Sequence, residues 1–253
     1  MVIDLHVVAP QADSDGLERL LESCIEAGLD GVCLLGEAAA PPIEAARASR
    51  FAARLALFFG VRFPVDRGVL LWLPADPQVL AAEPWRTAPP RDAAAVTALA
   101  EAHGGVVLAA HPYDRTRGDS FGDAIFNVTG LAGIEVANAR QDRFRNNMAV
   151  DATLRTKASA FGGTASDEAD RIGRAATVFL EVLADQAALV EALRRSDTWA
   201  VEFLASLEDA LSRDEGRPGR TPDRRPQGRR DGGSRDRGRG RSGHAQRQGG
   251  NRR

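Results

Sequence analysis

The sequence predicts an α/β fold on a parallel sheet, either open or closed into a barrel. Three observations predict it. Short apolar runs alternate with stretches of helical spacing through residues 2–212. Polar residues stand where those runs end: His6, Gly36-Glu37, His111, Asn138 and Ser166-Asp167. In such sheets ligands bind at the carboxyl ends of strands, so two histidines and two carboxylates on one rim are raw material for a metal site. From Arg213 onward there is no Val, Ile, Leu or aromatic residue, so 213–253 reads as a disordered Arg/Gly-rich tail on a domain spanning 1–212.

Each element has its local reason. VIDLHVV (2–8) is a strand. A helix opens at Asp15 and runs through Ala27, with Glu18 three residues on giving a capping box. Leu17, Leu20, Leu21, Cys24 and Ile25 form its apolar face, and Gly28 ends it. GVCLLG (31–36) is a second strand. Pro41-Pro42 starts a helix predicted to reach Leu57. VRFPVD (61–66) and GVLLWLP (68–74) form a strand pair turned at Arg67-Gly68, and a Pro-rich loop follows to Pro90. A helix from Asp92 to His103 leads into the strand 105–110. GIEVAN (133–138) is a strand, and 141–158 a helix. The stretch FGGTASD (161–167) precedes a helical turn at 168–175, a strand at 176–182 and a helix at 186–196. Residues 199–212 read as a strand running into a final helix.

Composition narrows the function classes. No stretch approaches the ~20 apolar residues of a membrane span. MVIDLH lacks the basic start of a signal peptide. Cys24 and Cys33 lie among apolar neighbours and form no CxxC pair, which predicts reduced core thiols and a cytoplasmic setting. The net charge of −2 conceals an asymmetry. The tail holds 14 Arg and 5 acidic residues, or +9; the body holds 33−14 = 19 basic and 35−5 = 30 acidic residues, or −11. The Ala- and Arg-rich wording, with Lys157 the one lysine, reads as codon bias of a GC-rich bacterial genome rather than as function.

Six pieces in register resemble the polymerase and histidinol phosphatase (PHP) family over nearly all of residues 1–210. DLHVVAPQADSDG is similar to that family's D-L-H-x-H followed by S-D-G. AGLDGVCLLGE is similar to its A-G-L-D strand ending in T-D-H. GGVVLAAHPYD, GIEVANAR, GGTASDEADRIGRAATVF and ALVEALRRS resemble the A-H-P strand, the I-E-V-x-N strand, the S-D-A-H segment and the closing helix. The resemblance implies a distorted (β/α)7 barrel with two or three divalent metals at its rim, hydrolysing phosphoesters. It also implies a divided metal set. His6, Asp15, His111 and Asp167 survive at ligand positions. The second histidine of H-x-H falls on Val8. The T-D-H pair falls on Gly36 and Glu37, a bridging glutamate on Arg62, a G-H pair on Gly68-Val69 and the last histidine on Ala169.

These replacements have physical consequences. Hydrocarbon side chains offer a metal no lone pair, and a guanidinium in place of a bridging carboxylate adds charge where two dications already repel. An inward Arg62 is expected to pair with Glu37 or Asp167; the alternative is that it turns to solvent. Bland readings stand beside the metal ones: His6 as a core histidine, Asp15 and Asp167 as helix caps, His111-Pro112 as a strand terminator, Tyr113 as a packing or lid residue.

Three functional readings follow. The first is a non-catalytic barrel acting as a binding or scaffold module, with Arg62, Arg115 and Arg117 able to hold a phosphate-containing small molecule at the rim. The second is a phosphoesterase with one metal (zinc, manganese or iron) on His6, His111 and Asp167, with Glu37 as fourth ligand or general base. The third places RNA or another polyanion on the tail, through Arg229, Arg230, Arg235, Arg237, Arg239 and Arg241. Against it stand a solubilising extension and an arm folded back on the acidic body. No membrane partner is expected.

Overall fold

The computed structural model describes residues 1–10, 14–37, 39–82, 85–116 and 120–203. These belong to a compact unit running Met1–Gly216. The tail and its arginines lie outside the described residues, as does Arg117. The elements are β1 (Val2–Val8), α1 (Ser14–Glu26), β2 (Gly31–Glu37), α2 (Ile43–Ala48), β3 (Ala56–Pro64), β4 (Val69–Leu73), α3 (Ala93–His103), β5 (Val106–Ala110), β6 (Leu131–Asn138), α4 (Arg143–Thr156), β7 (Ser159–Gly163), β8 (Ala175–Phe179), α5 (Gln186–Arg195) and β9 (Thr198–Glu202). Single 3-10 turns lie at Pro77–Ala81, Gly122–Asn127 and Ala169–Arg171.

Among the described residues, nine strands form one sheet, in the order β7-β6-β5-β4-β3-β2-β1-β8-β9. The expectation of a parallel sheet holds within β1-β2-β3 and β5-β6-β7. It fails at β4, antiparallel to both β3 and β5, and at β8 and β9. The count is therefore nine strands in a mixed, nearly closed sheet. The cause at β4 is the tight turn at Gly68: Val65 N–H donates to Gly68 O at 3.0 Å, and Gly68 has φ +93°. A two-residue connection can only return the chain antiparallel.

Two sequence expectations need correction. The helix expected from Pro41 to Leu57 stops at Ala48. Ser49 turns the chain by accepting the Phe51 N–H on its own hydroxyl, and 56–64 is strand. Helical propensity there is overridden by in-register pairing of Ala56–Arg62 with β2. Residues 159–163 are strand β7, which two glycines made hard to read as one.

The core forms two layers. Outside the sheet, Leu17, Leu20, Val96, Ala149 and Ala152 of the helices pack on Val32, Leu34, Phe59, Val107 and Ile134. Inside it, Ile3, Leu5, Cys33, Leu35, Phe58, Leu71, Leu108 and Phe161 meet Leu189, Val190 and Leu193 of α5. Both thiols are free and buried. Helix α5 seals the end at which the parallel strands begin, because Arg194 bonds Gly105 O ahead of β5 and Ser159 Oγ donates to Leu193 O. The opposite end, where those strands finish, is the mouth.

The seam between β1 and the segment after β7 closes through a few backbone bonds and one buried side chain. Ala165 N donates to His6 O at 2.7 Å, and Val8 N to Ser166 O at 3.0 Å. The buried Asp4 carboxylate accepts from Thr164 N at 2.9 Å, from His6 N at 3.1 Å and from Thr164 Oγ1. Burial, the largest effect, holds the Asp4 carboxyl above its ordinary pKa despite those bonds. A Cβ on Gly163 would lie 2.5 Å from His6 Cβ, so glycine is what lets the two strands approach. Thr164→Val keeps the shape and removes the hydroxyl donor. We expect a loss of about 1–3 kcal/mol in urea unfolding, largely restored in Thr164→Ser.

Candidate functional site

The mouth is organised by a residue the sequence reading did not single out. Glu135 stands in β6 between Ile134 and Val136 and is fully buried. It pairs with Phe161 of β7, so its side chain shares the interior face. One oxygen meets His6 Nδ1 at 2.9 Å; the other accepts from His111 N at 2.7 Å and from Asn138 Nδ2 at 2.9 Å. Burial alone would push the Glu135 carboxyl up. The His6 imidazole, His111 and the Asn138 bond outweigh it, and the group sits below the usual carboxylate pKa.

His6 reaches this position because β1 carries a bulge. Its register with β2 slips between Asp4 and Val7. Ile3 and Leu5 face the interior, Val7 faces the helices, and His6 lies at the change of face. Since Glu135 accepts, His6 Nδ1 carries the hydrogen. The His111 ring stacks on the His6 ring, with centroids 5.7 Å apart and planes 15° from parallel. His111 has φ +31°, a conformation costing a non-glycine residue about 1–3 kcal/mol. The bond from its N–H to Glu135 helps hold it there. Its Nδ1 is buried and has no hydrogen-bond partner among the described residues. Burial, chiefly, lowers the His111 pKa to about 4, while Glu135 pulls the other way.

The other candidates divide. Arg62 is buried on the interior face of β3, and its register partner on β2 is Glu37. The two form an ion pair, so of the two carboxylates expected for Arg62 it is Glu37 that is bound. Glu37 is half exposed, at 51%. Asp167 is exposed and makes no described hydrogen bond to either histidine; the Glu168 N–H is capped instead by Ser166 Oγ. Asp15 is exposed in the first turn of α1, which starts one residue earlier at Ser14. Arg115 is exposed in the loop after His111, and Tyr113 is packed in the outer core. The structure thus brings His6 and His111 together on Glu135, pairs Arg62 with Glu37, and places Asp15, Asp167 and Arg115 on the surface. Asn138 links further: its side-chain oxygen accepts from Arg140 N, and its backbone exchanges bonds with Asn146. Arg140 in turn donates to Ala165 O at 3.3 Å.

Asp4 and Glu135 share a signal in the sequence. Each is a lone carboxylate inside an otherwise apolar strand, VIDLHVV and GIEVAN, where a solvated face is not available.

No family model matches the chain, and no curated protein matches it in sequence. Solved structures do. PsfC from Pseudomonas syringae matches with a TM-score of 0.63 at 17% identity, over 85% of this chain and 96% of that one. A candidate metal-dependent phosphoesterase from Bifidobacterium adolescentis matches at 0.53 and 16%, over 76% and 96%. An amidohydrolase from Chromobacterium violaceum, with bound sulfate and no metal, matches at 0.52 and 15%, over 79% and 97%. The chain shares their barrel fold.

The metal centre implied by that fold does not fit the residues present. Among the described residues, no three His, Cys, Asp or Glu side chains stand together so as to hold a metal ion. Both oxygens of Glu135 are already engaged by donors. Arg62 adds a permanent cation that disfavours positive charge at His111.

Two outcomes test this site. Glu37→Leu leaves the buried guanidinium without this carboxylate and is expected to cost about 1–3 kcal/mol, less than the ~3–5 of a fully buried pair. Arg62→Leu should cost less, because Glu37 can relax into water. A double-mutant cycle by chemical denaturation measures the coupling. The second outcome concerns pH. With His111 at about 4 in the fold and about 6.5 unfolded, the unfolded chain binds more protons between those values. Its contribution to stability is therefore present above about pH 6.5 and is lost as pH falls toward 4. Denaturation midpoints of wild type should fall more steeply across that window than those of His111→Gln; equal slopes would contradict the assignment.

Proposed function

We propose that the barrel mouth binds a small phosphate-bearing anion through its own side chains, and that the chain acts as a binding module rather than through a multinuclear metal centre. The observation that carries this is Arg62, a buried guanidinium at the interior rim beside His111, held by a Glu37 free to swing into water. An arriving oxyanion replaces Glu37 on the guanidinium fork, a geometry suited to phosphate. The Chromobacterium violaceum amidohydrolase, which carries sulfate without metal, supports this as something a barrel of this fold can do. Glu135 then serves as the buried anchor that orients His6 and His111, not as a ligand.

The test is calorimetric titration of the full chain with a phosphomonoester in excess chelator. Binding is expected, and Arg62→Gln should weaken it roughly tenfold or more, the value of a charge-assisted bond. Protein purified without chelator that carries two or more manganese, iron or zinc per chain and hydrolyses phosphoesters would overturn the reading. One metal per chain with turnover would establish the single-metal hydrolase instead.

The tail supports a second, compatible reading, carried by its +9 charge and repeated Arg-Gly steps. We propose polyanion binding there, with affinity for RNA falling steeply as salt rises. A chain ending at Ser212 that binds RNA as well as the full chain does would remove it.

A further inference from the structure

Helix α4 turns its small side chains inward and its large apolar ones outward. Ala149 and Ala152 are buried and share the outer core with Ile134 and Val136 of β6. Leu154 is 76% exposed, Phe144 66% and Val150 42%. At 3.6 residues per turn these three fall on one exposed arc, together with Arg143, Asn147, Asp151 and Arg155. A helix that serves only its own barrel shows the reverse, with its large apolar residues inside. One exposed leucine needs no explanation; three apolar side chains along one helix face mark a contact surface.

The same face is cationic on an acidic body. Residues 1–212 carry −11. The exposed charges of α4 and its C-cap are Arg143, Arg155 and Lys157 against Asp151, or +2. Counting Asp123 of the neighbouring 3-10 turn leaves +1. Arg145 is spent on Asp142 at 3.1 Å. Arg155 lies over the Phe126 ring, 5.3 Å from its centre, so the patch reaches that turn.

These features select the occupant. In an antiparallel pair of copies, setting Phe144 against Leu154 also sets Arg143 against Arg155, because both pairs are centred on residue 149. Single-stranded RNA stacks on aromatic rings, and Val150 and Leu154 offer none. A bilayer would have to take in Asp151 with its apolar neighbours. An acidic amphipathic helix satisfies both halves of the face: its apolar side covers Phe144, Val150 and Leu154, and its flanking carboxylates meet the cations. We propose that α4 is the docking face for such a helix of a partner protein.

The test uses the full chain and two fluorescein-labelled synthetic peptides of one composition, Leu and Glu. In one the leucines share a helical face; in the other the order is scrambled. The tail carries +9 and attracts both alike, so the difference between them reports the face. Anisotropy titration of wild type should show the amphipathic peptide binding roughly tenfold tighter or more, the worth of burying about one large apolar side chain. Phe144→Gln with Leu154→Gln should erase the difference at an unchanged urea midpoint. If that variant shows no cooperative unfolding transition, Leu154→Gln is read the same way, with a reduced difference expected. Equal binding of the two peptides by wild type, or an undiminished difference in the folded variant, overturns the proposal. So does a dimer mass in light scattering, or binding of phosphatidylglycerol vesicles or single-stranded RNA, that the folded variant lacks; the occupant is then a second copy, a membrane or a nucleic acid.

Discussion

A single buried carboxylate sets the geometry of the barrel mouth. Glu135 has no solvent on any side, and an unsatisfied ion there would cost several kcal/mol. It is offset by donors from three places in the chain: an imidazole from β1, a backbone N–H from the end of β5 and an amide from the end of β6. Each donor is fixed by that requirement. The bulge in β1 turns His6 inward toward it, and His111 adopts a left-handed backbone while donating its backbone N–H to it. The stacked histidines follow from meeting one carboxylate from two strands.

Asp4 performs a parallel task at the seam. It gathers Thr164 and the His6 N–H, joining β1 to the segment after β7 where backbone pairing alone is sparse. The two acids are equally buried yet shift in opposite directions, because Glu135 faces imidazoles and Asp4 faces mainly neutral donors. Both carboxylates are satisfied from within. Arg62 and Glu37 complete the same logic at the rim, where a cation and an anion in strand register balance one another.

The barrel framework is shared with a candidate phosphoesterase and an amidohydrolase at low identity. Among the described residues, His6 Nδ1 and both oxygens of Glu135 are engaged with protein groups.

The sequence by itself determined most elements and the residues at the rim. Apolar runs and caps are local signals, so β1, β2, β4, β5 and α3 through α5 lie within a few residues of expectation, as does the pairing of Arg62 with a rim carboxylate. The Glu135 cluster, the surface positions of Asp15 and Asp167, and the early end of α2 were decided by tertiary structure. The reason is range: His6 and Glu135 are 129 residues apart, and nothing in either neighbourhood encodes the bulge that lets them meet. Strand β3 likewise becomes strand at Ala56 because β2 offers it a ladder, not because its own residues forbid a helix.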